Sequence, residues 1–320
     1  MPTYADESSY VSHSKPGALV ECSLRGNPHE EKGMPAPTRA KARHLASLAR
    51  LGRNPAATVY DSLGGDFFLA PAPGWLNLGL WEGRGDASEA PDAVVRLASV
   101  LAAELPVARD IVDVANGLGA QDLVIRSVAR PRNLVAVNIT ESQLHSGRAR
   151  LEEASAAPLV ADATALPLAD DSADGIISIE AAFHFPSRHS FFAEARRVLR
   201  PGGVLSMSDV SAELTRTLSP LVAAAGLTNL RVWGIRRRSL MTSAQIEAAL
   251  ISAGFVNVRL HDVSQRVFPP AIRFFRQRLR TVRDEPLVYR WGSKLLLRQW
   301  ELLAARDQMR YLLVRAQVPP

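Results

Sequence analysis

The side chains best able to do chemistry are spread along the middle of the chain: Asp113, Asn138, Asp162, Glu180, His184 and Asp209. Nearly all of them close or follow a run of apolar residues, in "IVDV", "NLVAVN", "PLVAD", "GIISIE" and "VLSMSD". A carboxylate or amide at the carboxyl end of a buried strand is placed to grip a polar ligand, and an imidazole is the side chain best matched to proton transfer near neutral pH. Between Asp113 and a helix start lies the turn "ANGLG", with glycines at Gly117 and Gly119. Glycines there let the backbone approach a ligand, and the helix N-terminus offers unpaired N–H groups and the positive end of its dipole.

Two ligands suit such a turn: the pyrophosphate of a dinucleotide, or the amino and carboxylate groups of S-adenosylmethionine in the same crevice. The dinucleotide fingerprint requires a third glycine where Asp122 stands. Asp113, just before the turn, would repel a pyrophosphate but meet an ammonium group. Asn138, about twenty residues on, can hydrogen-bond ribose hydroxyls, and Asp162 is placed to accept from an adenine amino group. An NAD-dependent oxidoreductase is therefore the disfavoured reading.

These residues need a scaffold, and the hydrophobic pattern supplies one. Helices are predicted over 88–105, 120–130, 140–154 and 187–200, and strands over 110–115, 133–138, 157–160, 174–180 and 203–209. Alternation of strand and helix with near-continuous apolar strands implies a parallel sheet covered on both faces. Thr242 caps a helix over 241–254 that stops at Gly254, a strand follows over 255–262, and a last strand covers 310–318. The intervening 265–309, rich in Phe, Trp, Leu and Arg, reads as amphipathic helices.

The expected fold is α/β, a Rossmann-like doubly wound seven-stranded sheet, mostly parallel with an antiparallel last strand. Residues 1–36 form a disordered tail and 37–90 an N-terminal helix with a cofactor-covering segment; 91–264 form the core, with part of a lid at 211–240, 265–309 a helical lid insertion and 310–320 the closing strand.

Composition narrows the function classes. One cysteine, Cys22, excludes an internal disulfide framework and a cysteine-based zinc site, and no metal ligand set is identified. With 47% hydrophobic residues, no apolar run long enough to span a bilayer and a polar N-terminus, a cytoplasmic protein is expected. The net charge of +6 is almost wholly arginine, concentrated around 231–238 and 266–298. Such blocks are usually solvated faces. Nucleic acid is not an expected partner: no Asn-Pro-Pro-Tyr type motif is present, and the "NP" pairs at Asn27 and Asn54 fall outside the sheet.

Taken in order, "DVANGLG", "VNITESQ", "ADATALPLADDSADGII" and "VLRPGG" make the chain resemble the class I S-adenosylmethionine-dependent methyltransferases over roughly 56–262 and the final strand. "WLNLGLW", "VNITESQL" and "IEAAFHFPSR" look like the natural-product branch that holds macrolide sugar O-methyltransferases and sterol, lipid and prenyl relatives. The resemblance implies S-adenosylmethionine as cofactor, with Asp113, Ala115, Gly117 and Gly119 around its methionine part and Glu180 beside the methionine end. It implies Asn138 and Gln143 at the ribose, Asp162 and Ala163 at the adenine, and Trp81 closing the pocket. Ala115, Asn138 and Leu80 depart from the residues usual at their places, glycine, an acid and tyrosine.

Methyl transfer to a hydroxyl needs alignment, exclusion of water and a base. His184 sits where an imidazole could reach the acceptor, and the resemblance implies Asp209 as its acidic partner. The plain alternative for His184 is a loop residue packed between Phe183 and Phe185. The expected activity is methylation of a hydrophobic small molecule at a hydroxyl, with C- or N-methylation of a lipid, sterol or prenylated acceptor as the alternative and an inactive cofactor-binding scaffold as the non-enzyme one. The apolar stripe of 265–309 would cover a substrate, touch a membrane surface weakly, or join two subunits.

Overall fold

The computed structural model describes residues 70–213, 230, 235, 237–281 and 287–320, all within one unit that spans Thr38–Pro320. The expected tail 1–36, the helix after Pro37 and most of the lid segment 211–240 lie outside the described residues.

Seven strands form one sheet: β1 Asp110–Val114, β2 Asn133–Asn138, β3 Ala156–Val160, β4 Ala173–Ile179, β5 Leu199–Ala212, β6 Val256–Asp262 and β7 Met309–Gln317. Their order is β3-β2-β1-β4-β5-β7-β6. β1 to β5 pair in parallel, and β7 inserts antiparallel between β5 and β6. This is the expected doubly wound architecture. The order reverses at β1/β4, so the crevice above their carboxyl ends is where such sheets take ligands.

Eight helices flank the sheet among the described residues: α1 Ala90–Ala103, α2 Ala120–Ala129, α3 Glu141–Ser146, α4 Arg148–Glu153, α5 Arg188–Val198, α6 Ser243–Ser252, α7 Ser264–Thr281 and α8 Leu287–Ala304. On one face α1, α2, α7 and α8 bury Leu97, Leu101, Ile125, Phe268, Phe274 and Leu297; on the other, α5 and α6 bury Phe191, Phe192, Ile246 and Leu250. Two apolar layers explain why the central strands read as unbroken hydrophobic runs.

Three departures from the sequence reading are set by contacts the chain makes on folding. The single helix expected over 140–154 is two, broken at Gly147, where a Cβ would stand 2.6 Å from the Leu118 carbonyl oxygen. β5 begins at Leu199 rather than 203, because Leu199 already pairs with Ala173, and after an irregularity across the Pro-Gly-Gly stretch the ladder resumes at Val204 with Gly175. The segment after Trp75 is more than a cover: the Trp81 N–H donates to Arg266 O at 2.9 Å, and a Cβ on Gly85, at φ +93°, would collide with the Pro270 carbonyl. Thr242, as expected, caps α6, and with Gln245 it completes a reciprocal capping box.

Candidate active site

The turn after β1 is wound tightly enough that Ala115, Gly117 and Gly119 all take positive φ, at +63°, +63° and +83°. Glycine adopts this at little cost, whereas Ala115 holds about 1 kcal/mol of strain. The N–H groups of Ala115 and Asn116 both donate to Val137 O, at 2.7 and 3.2 Å, which ties the turn to β2.

Beneath it lies a buried polar cluster. Gln121 Nε2 donates to both oxygens of Asp113 at 2.8 Å, and Asn116 Nδ2 donates to Asp122 Oδ2 at 3.0 Å. Burial, then repulsion by Asp122, holds Asp113 well above the usual carboxylate range, and burial lifts Asp122 to about 7. Two carboxyls so close in a dry setting retain a proton at neutral pH. Asp113 was placed by the sequence reading against a ligand ammonium; in the structure it is fully buried and Gln121 stands at the cavity wall in its stead. The signal for Gln121 was its position two residues past Gly119, on the first turn of α2, where it points back at the strand end.

Above the turn opens a cavity of about 280 Å³. Six of the twelve expected site residues line it: Ala115, Gly117, Asn138, Gln143, Glu180 and His184. Asn138 Nδ2 donates to Gln143 Oε1 at 3.0 Å, and its Oδ1 accepts from the Thr140 N–H at 3.0 Å, so the two amides form one unit at the end of β2. Glu180, at φ +53°, turns its carboxylate inward, where Oε1 accepts from the Leu78 N–H and from the Tyr311 hydroxyl, both at 2.6 Å. Burial outweighs those two bonds and lifts Glu180 to about 7; burial and Glu180 itself push Tyr311 well above its usual range. His184 closes the short 3-10 turn Ala182–His184, is 9% exposed, and packs its ring 4.2 Å from that of Phe183.

The other six are placed elsewhere. Gly119 serves packing: a Cβ there would meet Gly147 O at 3.2 Å. Asp162 caps its own turn, accepting from the Thr164 N–H and hydroxyl at 2.8 Å, and Ala163 is buried in the core. Neither lines the cavity; Ile139 and Thr140 form that wall. Trp81 is 1% exposed, donates to Leu78 O at 2.8 Å and packs against Phe274, so it props up the segment that covers the cavity rather than facing it.

Asp209 lies behind the cavity wall, in the grip of an arginine. Both its oxygens are held by Arg188, from Nε at 2.7 Å and an η-nitrogen at 3.0 Å, in an ion pair whose side chains are 0% and 1% exposed. Arg188 also donates to Val210 O and Ser239 O, which fastens the start of α5 and the 237–239 turn to the end of β5. The pairing places Asp209 as the counter-ion of an arginine, and an arginine four residues beyond His184 gave no sequence signal that it would be buried.

Residues 112–207 match the family model described as a methyltransferase domain. The chain is 28% identical over 239 residues to erythromycin 3''-O-methyltransferase of Saccharopolyspora erythraea, covering 72% of this chain and 76% of that one. It is 30% identical over 207 residues to methyltransferase GfsG of Streptomyces halstedii, covering 62% of this chain and 72% of that protein. The chain belongs to the S-adenosylmethionine-dependent methyltransferases. The fold of this methyltransferase is shared by mycolic acid cyclopropane synthase CmaA1, solved with S-adenosylhomocysteine, at a TM-score of 0.69, 18% identity and 82% and 97% coverage. It is shared as well by the [4+2]-cyclase SpnF, at a TM-score of 0.63, 21% identity and 90% and 99% coverage.

The residues present fit the cofactor. Gly117 leaves room between the turn and Leu76, where an added Cβ would sit 3.5 Å from Leu76 Cδ1. The Asn138–Gln143 amide pair suits vicinal hydroxyls, and Glu180 offers the carboxylate a cationic group requires. When bound, S-adenosylmethionine supplies an electrophilic methyl group on a sulfonium that leaves as a neutral thioether. Among the described residues no cluster of His, Cys, Asp or Glu could hold a metal ion, and no helix is long and apolar enough to cross a membrane.

Proposed function

We propose that this methyltransferase methylates a hydroxyl of an uncharged, largely apolar small molecule of natural-product biosynthesis, with His184 as the base. The observation that carries the reading is the charge inventory of the cavity. Among its described lining residues the only acidic or basic side chains besides the imidazole of His184 are Glu180 and Arg188, and Arg188 is paired with Asp209. The acceptor side includes Phe183, Phe185, Val210, Leu240, Phe268 and Trp300, with Ser211, Gln299 and Gln308 as polar points. Such walls suit neither a diphosphate nor a free amino acid, and they favour an apolar acceptor that presents a few hydroxyls.

His184 takes the hydroxyl proton as the oxygen attacks, and its packing against Phe183 keeps the imidazole in one orientation. Glu180, Asn138 and Gln143 position the cofactor, and Gln121 bridges its site to the buried Asp113. The names of relatives agree with oxygen as the target, including a 27-O-demethylrifamycin SV methyltransferase 27% identical over 252 residues. A dimethylglycine N-methyltransferase, 32% identical over 163 residues, and a sterol methyltransferase-like protein, 28% identical over 137, keep an atom other than oxygen as the alternative.

The test is transfer of labelled methyl from S-adenosylmethionine to a panel of hydroxylated macrolactones, ansamycins and sterols. His184→Gln should lower transfer about 10²- to 10⁴-fold while leaving S-adenosylhomocysteine affinity unchanged. Unchanged transfer by His184→Gln would remove the base from the mechanism.

A further inference from the structure

The two helices before the last strand carry an unusual share of the charge. α7 and α8 together hold eight Lys or Arg residues and one acid, Glu301, an excess of seven positive charges. The whole chain has a formal net charge of +6, so everything outside this hairpin is close to neutral. Exposed members include Arg266, Arg273, Arg280 and Lys294, with Arg298 at 66% side-chain exposure.

On the same hairpin two large apolar side chains face solvent. Trp291 is 67% exposed and Leu295 59%, one helical turn apart on α8. Lys294 places its ammonium 5.2 Å from the Trp291 ring. Further along α8, Gln299, Trp300 and Leu303 line the cavity. An outward tryptophan and leucine among lysine and arginine is the composition that settles at a lipid headgroup boundary, with the rings at the interface and the cations at anionic phosphates.

We propose that the outer face of the α7–α8 hairpin docks the protein on an anionic lipid bilayer. The use of this docking rests on the reading that the cavity takes an apolar acceptor: the helix that touches the membrane would be the one that walls the acceptor. A second copy of the chain is the poorer occupant, since a two-fold contact would set one strongly positive face against another.

The experiment is co-sedimentation of the full chain with vesicles of phosphatidylcholine containing about 30 mol% phosphatidylglycerol, compared with pure phosphatidylcholine. The wild-type protein should pellet with the anionic vesicles only, and release in about 1 M salt. Each basic charge near such a surface is worth about fivefold in partitioning, so Lys294→Glu, a change of two charges, should weaken it about thirtyfold. Trp291→Ala should weaken it about tenfold. Both variants alter exposed side chains and should bind S-adenosylhomocysteine as the wild type does, which confirms their fold. Failure of the wild type to pellet, as a protein-directed surface would give, overturns the proposal. Equal pelleting of both variants and wild type overturns it too, by placing the contact elsewhere. Vesicle binding involves no methyl transfer, so an acceptor screen that fails leaves this result standing and counts only against the acceptor reading.

Discussion

Replacement of Glu180 by Gln separates the charge of this carboxylate from its geometry. Both hydrogen bonds it receives, from Leu78 and Tyr311, end on Oε1. A glutamine can accept the same two on its own Oε1, so Glu180→Gln keeps the bonds and removes the charge. Burial raises the acid from its ordinary 4.5 to about 7 in the folded protein. A raised carboxyl binds its proton more tightly when folded, so its stabilising contribution is complete below pH 4.5 and is lost as pH climbs through about 7. At about 1.4 kcal/mol per pH unit, the loss approaches 3 kcal/mol by pH 8, an upper figure because the site borders a cavity. In the cofactor-free protein Glu180→Gln should therefore be the more stable at pH 8 by about 2–3 kcal/mol, or about 5–10 °C in Tm, and nearly equal to wild type below pH 4.5. Urea or thermal unfolding at several pH values reads this directly. The same substitution should weaken S-adenosylmethionine, which carries a sulfonium, more than the neutral-sulfur S-adenosylhomocysteine. A variant less stable than wild type at pH 8, or a difference that does not change with pH, would refute the reasoning.

Other outcomes follow from the same geometry. Asp209→Leu leaves Arg188 buried without its counter-ion and should cost about 3–5 kcal/mol by urea unfolding, whereas the double change with Arg188→Met should recover most of it. Gly85→Ala should destabilise by more than 1 kcal/mol, roughly, because its Cβ meets a backbone carbonyl and its φ is positive; Gly202→Ala, also at positive φ but with nothing within 4 Å, should cost only the conformational part. Gln121→Leu removes the donor shared by both Asp113 oxygens and should lower cofactor affinity about tenfold by calorimetry, with a smaller effect on Tm than the loss of Arg188.

Much of this architecture was written locally. The apolar run into Asp113, the glycines at 117 and 119 and the capping pair Thr242 and Gln245 act through neighbours within a few residues, and each leaves a pattern in the chain. The break at Gly147 was hidden, since helical periodicity continues through it and only contact with Leu118 forbids a side chain there. Trp81 was legible as important but not as a prop, because its partner Phe274 comes from a helix far along the sequence.

What the sequence alone determined is the order of strands and helices and the glycine turn after β1, which depend on backbone conformation and hydrophobic period, properties of short stretches; the cofactor came from the resemblance carried by the ordered motifs. What the tertiary structure decided is which polar groups face one another. Asp209 and Arg188 stand 21 positions apart, Glu180 and Tyr311 stand 131, and no periodicity relates them. A carboxylate's role is set by the charge and dryness it meets after folding, so Asp113 becomes a buried proton-holding acid, Asp209 a counter-ion and Glu180 the charged wall of the cavity.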